Sequence, residues 1–487
     1  MSQEFPNHKV RNRKGKVLYM KKISIETIVC QLSHAEASIN SHVGSIIESV
    51  EFDSRKVQQG ALFVPLVGGT TDGHSYINQA IEQGAVATLW SGEKEAAPTD
   101  LVHVIFVEDT LKALHELANY YRHLINPIVI GITGSNGKTT AKDMTAMSLT
   151  SKYVVHKTQG NFNNEIGMPY TILKMPENTE VCVLEMGMSN FGEIHELSSI
   201  AEPDIAVVTI IGESHLEFLG NRAGIAKAKL EILDGMREHG KFLYPGDEPL
   251  IENELKMKER SFEKYRFGYE SSYEYYAYDI YEEFNKTFFR TNIDENVLCT
   301  IPIIGAYNVS NALIALSIAT MLEVPTEQAI FQLSQFELTA NRVQWLETKN
   351  GAKLLNDAYN ASPTSMRAVL NTLAHVEMEG AGRKIAVLGD IRELGPNSEE
   401  YHRDLKDSLD VEVLDKVYLF GDQMAYLYDE LQNKFAPEQL FYEKANHQRL
   451  IDTLQQETGN GDVILVKSSF GVDLLKVVTA LTGITTR

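Results

Sequence analysis

Cysteine is scarce in this sequence: Cys30, Cys182 and Cys299 are the only three in 487 residues, odd in number and far apart. That excludes a disulfide framework and the zinc motifs built on paired cysteines, and it fits a reducing, cytoplasmic compartment. Positive charge is also in deficit, with 45 Lys and Arg against 66 Asp and Glu and a formal net charge of -21. Such a balance argues against nucleic acid as a partner, because phosphate backbones are held by basic faces. Long apolar runs are missing too. None approaches the roughly 20 residues of a membrane span, so no spanning helix is expected. Residues 1–19 carry Lys9, Arg11, Arg13, Lys14 and Lys16 with no apolar stretch behind them, which excludes a secretory signal. This stretch is expected to be a disordered or non-native extension, with Met20 a natural start.

What is present is length, and with it room for about three domains. The chain is organised around residues 128–140, Ile-Val-Ile-Gly-Ile-Thr-Gly-Ser-Asn-Gly-Lys-Thr-Thr. A run dominated by β-branched residues ends in a turn of Gly134, Ser135, Asn136 and Gly137, followed by Lys138, Thr139 and Thr140 and a helix-compatible stretch over 141–149. Small residues let backbone N–H groups close on phosphate oxygens, the lysine reaches the outer phosphates, and the hydroxyl after it suits Mg²⁺. The usual G-x-x-x-x-G-K-[ST] pattern is missed by one place, since Ile132 stands five residues before Gly137.

The rest reads as α/β. Over 20–125, strands are expected at 61–67, 85–90 and 102–107, with helices at 76–83 and 110–121. Asn126-Pro127 marks a junction. From 126 to about 335, strands at 181–185 and 205–211 end near Glu185 and His215, where a ligand meets the carboxyl ends of a doubly wound sheet. A Tyr-rich, charged segment over 252–285 reads as an exposed excursion with irregular strands. Residues 305–311 open an apolar helix running to Leu322. From 336 to 487, strands at 352–355, 384–388, 416–420 and 463–466 alternate with helices such as 362–375 and 399–409, again a mostly parallel sheet. The expected fold class is therefore α/β in three domains: 20–125, a central P-loop sheet over 126–335, and a Rossmann-like unit over 336–487. Residue types and spacing lead to an ATP- and Mg²⁺-using enzyme.

A series of short motifs then carries a resemblance: Asp53-Ser54-Arg55, Asp72-Gly73-His74, the 133–140 loop, Asn161-Phe162-Asn163-Asn164, Glu185-Met186-Gly187, Glu213-Ser214-His215, Ala226-Lys227-Ala228-Lys229, Asn341-Arg342 and Asp357-Ala358-Tyr359-Asn360-Ala361-Ser362-Pro363. In this order and over all three regions, the chain resembles the Mur ligases of peptidoglycan synthesis, most closely the type that adds D-alanyl-D-alanine. The resemblance implies that a carboxylate of a UDP-N-acetylmuramoyl-tripeptide attacks the γ-phosphate of ATP and that the amine of D-alanyl-D-alanine displaces phosphate from the acyl phosphate. It implies ATP contacts from the loop, Asn308, Arg342 and Asp357. One Mg²⁺ would lie at Thr139 and Glu185, and a second at His215 and a carbamylated Lys229. Lys138, His215 and Lys229 would carry the chemistry. Ser54, Arg55, Asp72 and His74 would hold the UDP-sugar, Asn163 and Asn164 the substrate near the centre, and Tyr359 and Asn360 the dipeptide. A monomer is expected.

Three positions depart from the family pattern. Ile210 replaces a polar residue near the metal site, Tyr307 a histidine on the adenine side, and Phe470 an arginine near the C-terminus. The last puts in doubt how the carboxylate of the incoming dipeptide is held. A P-loop ATPase or nucleotide-gated binding module remains an alternative, as does another Mur-superfamily ligase that adds an amino acid or glutamate.

Overall fold

The structure, a computed structural model, describes residues 20–257, 262–283, 286–337, 342–378 and 380–485. The reading of residues 1–19 lies outside them, as does Asn341. Three large sheets follow one another along the chain. The first has five strands, in the order Glu36–Ser38, His103–Phe106, Ala85–Trp90, Ala61–Phe63 and Ser49–Glu51, parallel except at the Glu36–Ser38 edge. Pro65 cannot donate to a ladder, and the strand expected over 61–67 stops at Phe63.

The middle sheet has nine strands. Its centre is Ile128–Thr133, flanked by Val181–Glu185 on one side and Ile205–Val208 on the other, all parallel. Central parallel strands are covered on both faces and so read as near-continuous apolar runs; Val129, Ile130 and Ile132 are fully buried here. Register places Glu185 beside Ile132 and Val208 beside Thr133, so both neighbours end at the mouth of the P-loop. The helix Lys138–Leu149 leads away from that mouth and packs with Tyr307–Met321 in one buried cluster that includes Met144, Leu149, Val309 and Leu313. Eleven residues of the second helix are buried, which accounts for its lack of a polar face.

The exposed excursion with irregular strands expected over 252–285 carries strands with few buried residues, and these join the central sheet. Glu263–Gly268 continues the parallel order, and Tyr275–Glu283, Lys286–Thr291 and Asp294–Ile301 extend it as an antiparallel meander. Their tyrosines and charges alternate with buried Ala277, Phe289 and Cys299, and the pairing shifts register between Tyr278 and Tyr281 and again between Phe289 and Thr291.

The third sheet has six strands, with Lys353–Asp357, Val463–Lys467, Lys384–Gly389, Lys416–Phe420 and Leu440–Glu443 parallel and Gln344–Glu347 antiparallel at one edge. This sheet meets the central one through polar loop contacts. Asn136 Nδ2 donates to Ser362 Oγ at 3.0 Å, Thr364 Oγ1 donates to Glu213 Oε2 at 2.5 Å, and Glu217 N donates to the Glu393 carbonyl at 3.1 Å. On the other side Tyr170 Oη and Lys174 both bind Glu51 of the first sheet. The central sheet's unit thus contacts the first and the third.

Candidate functional site

The P-loop is held by its backbone and by the 209–214 segment beside it. Gly134 and Gly137 have φ of +150° and +81°, and a methyl on Gly134 would lie 1.8 Å from Thr209 Oγ1. Only glycine fits there. Thr209 Oγ1 donates to the Asn136 carbonyl, Ser135 N donates to the Ile210 carbonyl at 2.9 Å, and Gly212 N donates to Ser135 Oγ at 2.9 Å. Position 210 therefore braces the loop through its backbone carbonyl, whatever its side chain.

Lys138 folds back onto the Gly134 carbonyl at 2.8 Å. Burial pushes its ammonium below the usual lysine range, with Glu185 opposing and the charge of Arg342 adding to the shift. Thr139 Oγ1 donates to Glu185 Oε1 at 3.2 Å, and Asn163 Nδ2 donates to the same oxygen at 2.9 Å. Glu185 is 2% exposed, yet its Oε2 has no hydrogen bond. The nearest ion-pair partner recorded for that oxygen is Lys142 Nζ, 3.8 Å away and itself bonded to the Thr158 carbonyl. A buried carboxylate oxygen left open beside a hydroxyl is a hard-oxygen donor set of the kind Mg²⁺ takes, with water and phosphate completing its shell. Among the described residues no three His, Cys, Asp or Glu side chains stand together in a group that could hold a metal ion.

Lys229 ends the helix Arg222–Lys229 and is 1% exposed, whereas Lys227 of the same helix faces solvent. Its ammonium makes no ion pair or hydrogen bond with any described residue. Desolvation, and then the charge of Lys138, hold that amine well below the usual lysine range. His215 has φ +63° and sits just before the short helix Leu216–Leu219. Its Nδ1 donates to Glu393 Oε2 at 2.6 Å, which holds the Glu393 carboxyl below the usual range and leaves Nε2 as the other ring donor atom. Glu393 was not singled out in the sequence, and neither were Lys142 and Thr158.

From the third sheet, Arg342 lies 4.3 Å over the Tyr359 ring, whose other neighbour is Phe470 at 5.7 Å. Asp357 pairs with Lys467 at 2.5 Å, and Lys467 also donates to the Asn360 carbonyl at 3.0 Å. Lys467 thus orders two expected site residues at once. Asn308 is buried; its Nδ2 donates to the Ile304 carbonyl and its Oδ1 accepts from Asn311. Both ends of its amide are engaged inside the protein. Asn164 Oδ1 likewise accepts from Gly167 N at the start of Gly167–Leu173.

The first sheet supplies a separate cluster. Ser54 Oγ donates to Gln79 at 2.7 Å, Arg55 makes two bonds to Asp53 at 2.8 Å each, and His74 Nδ1 donates to Asp72 at 2.6 Å. His74 Nε2 accepts from Ser91 N, and its ring lies edge-on to Trp90 at 4.7 Å. Arg55 and Asp72 keep exposed faces toward solvent.

Three family descriptions match in chain order: Mur ligase family, catalytic domain, over residues 46–122; Mur ligase middle domain over 132–319; and Mur ligase, glutamate ligase domain over 341–470. A Bacillus subtilis protein named UDP-N-acetylmuramoyl-tripeptide--D-alanyl-D-alanine ligase is 41% identical over 439 residues, covering 90% of this chain and 93% of its own. The chain belongs to the Mur ligase family. A Rickettsia prowazekii protein of the same name is 33% identical, over 88% of this Mur ligase and 94% of its own length. Among solved structures, MurF from Acinetobacter baumannii superposes with a TM-score of 0.83 at 25% identity, covering 96% of this chain and all of that one. MurF from Thermotoga maritima in complex with ADP gives 0.77 at 28% identity, covering 89% and 97%. The three-domain α/β architecture expected of a Mur ligase is the one observed.

Proposed function

We propose that this Mur ligase joins D-alanyl-D-alanine to UDP-N-acetylmuramoyl-tripeptide at the expense of ATP, through an acyl phosphate, with units at 20–125, 126–335 and 336–487 presenting the UDP-sugar, ATP and the dipeptide. The names borne by the relatives supply the substrates. The observation that carries the chemistry is a pair of buried groups coupled electrostatically to Lys138: Glu185, whose Oε2 has no hydrogen bond and whose charge Lys138 feels, and Lys229, which feels the charge of Lys138.

A carboxylate attacking a triphosphate brings like charges together, so the barrier is chiefly electrostatic and calls for cations rather than a strong base. Lys138 would leave the Gly134 carbonyl for the β- and γ-phosphates, with the loop amides around it. Thr139 and Glu185 would hold one Mg²⁺; His215 and Lys229 would serve a second. Bound there, the ions would neutralise charge developing on the phosphoryl oxygens. A bare ammonium at Lys229 would oppose a cation. As a neutral amine it can instead take up CO₂, forming an N–C bond and releasing one proton, which turns it into an anionic oxygen donor. Glu393 fixes the ring of His215 through Nδ1. Arg342 adds positive charge within reach of Lys138, and Asp357, ordered by Lys467, would face the ribose. Tyr359 and Asn360 would line the dipeptide's place. Ser54, Arg55, Asp72 and His74 would hold the UDP-sugar, and Asn163 and Asn164 the substrate between.

The test is the substrate requirement of phosphate release from ATP. Release is expected only when UDP-N-acetylmuramoyl-tripeptide and D-alanyl-D-alanine are both present. Full-rate release with ATP alone would favour a nucleotide-gated switch instead.

A further inference from the structure

A guanidinium lies unused beside the proposed dipeptide site. Arg392 follows the strand Lys384–Gly389 at the carboxyl end of the third sheet, one residue before the Glu393 that binds His215. Its backbone N–H donates to Ser469 Oγ at 2.9 Å, which ties its loop to the segment carrying Phe470 and Gly471. The side chain is exposed and makes no ion pair or hydrogen bond with any described residue, in a chain of net charge -21. It lies instead against bare backbone: a methyl built on Gly471 would sit 2.5 Å from Arg392 Nη1 and 2.8 Å from Cζ. Glycine at 471, whose backbone does not require it, thus makes room for this guanidinium. Beside it stand Phe470, 59% exposed, and the Tyr359 ring that Phe470 touches. Lys467, the nearby lysine, is spent on Asp357 and Asn360.

A free guanidinium next to an exposed aromatic pair suits a small ligand with an apolar body and a terminal carboxylate. A dipeptide spans about 7 Å when extended, so its amine can point to the reacting carbonyl while its carboxylate lies a side chain's length away. We infer that Arg392 binds the C-terminal carboxylate of the incoming dipeptide and that the Phe470–Tyr359 pair packs against its side chains. Arg392 is then the residue that makes the enzyme select a free acid. This rests on the ligase reading given above and adds a selectivity element to it.

The test compares D-alanyl-D-alanine with its C-terminal carboxamide as acceptors, using full-length enzyme saturated with ATP, Mg²⁺ and UDP-N-acetylmuramoyl-tripeptide. Wild type is expected to favour the acid in kcat/KM by about ten- to a hundredfold, the range for a hydrogen bond to a charged group. R392M should raise KM for the acid by a similar factor, leave kcat and KM for ATP near wild type, and bring the acid-to-amide ratio close to one. R392K should restore part of the ratio. G471A, which pushes the guanidinium aside without removing its charge, should fall between. Equal melting temperatures exclude a folding defect as the cause. Turnover by R392M with the wild-type ratio overturns the Arg392 assignment alone. Absence of turnover by wild type with either acceptor overturns the ligase reading and this subsite with it.

Discussion

Lys229→Ala is expected to reduce turnover on the order of a thousandfold, the several kcal/mol that a well-placed metal supplies to a charged transition state, and short-chain carboxylates such as acetate or propionate should restore part of it. The reason lies in where the amine sits. It ends a helix with its side chain 1% exposed, finds no partner among the described residues, and feels the charge of Lys138. Burial and that charge both favour the neutral form of the amine, and the neutral amine is the form that adds CO₂. The same burial makes a second forecast with the opposite sign. In metal-free, bicarbonate-free buffer Lys229→Met should be more stable than wild type, because it replaces a buried, unbonded amine with an apolar chain of similar length. The pH dependence follows from the lowered folded value. Between it and the unfolded lysine value of about 10.4, the unfolded chain binds more protons, so wild-type stability rises with pH across that interval and levels off above it. Urea midpoints at two pH values in that interval read the slope. Lys229→Met should lack it; equal slopes in the two proteins would contradict a lowered value at Lys229. An unimpaired Lys229→Ala enzyme would remove the residue from the chemistry.

Glu185→Gln is expected to be comparably severe, again on the order of a thousandfold in kcat, without loss of fold. One carboxylate oxygen is occupied by Thr139 and Asn163 and the other is open. Glutamine can keep the occupied oxygen and fill the same space, but it has no charge for Mg²⁺. The discriminating readout is thermal. Mg²⁺ should increase the stabilisation of wild type by ADP, a ligand at a hundred times its Kd adding about 2.7 kcal/mol. Glu185→Gln should show the same shift with Mg²⁺ or with a chelator. A wild-type Mg²⁺ response in the variant would place the ion elsewhere.

Sequence was most informative where chemistry and local structure coincide. The P-loop could be read because a buried parallel strand, two left-handed glycines and a helix start are consecutive, and Glu185 because it ends the neighbouring strand in register with Ile132. Lys229 was accessible only through the family motif; its helix also carries Lys227, and nothing local says which of the two turns inward. The pairings of His215 with Glu393 and Asn136 with Ser362 join residues 178 and 226 positions apart, so no window could show them. The strands within 252–285 were legible as irregular and exposed, but their place in the central sheet was not, because that pairing is set by partners as far on as Ile301. Ile210 stands out in sequence by its side chain, whereas the contact it makes to the loop is through its carbonyl. Asn308 has internal partners no motif shows: its Nδ2 donates to the Ile304 carbonyl and its Oδ1 accepts from Asn311.

The central claim is that the tripeptide carboxylate itself attacks the γ-phosphate. Its most direct test is to label that carboxylate with heavy oxygen, run the complete reaction with ATP and D-alanyl-D-alanine, and weigh the phosphate released. Attack through an acyl phosphate transfers one carboxylate oxygen, so each phosphate should carry one heavy atom for a fully labelled substrate. Unlabelled phosphate, formed at the same rate as the amide product, would mean that water or another group takes the phosphoryl group and would contradict the account.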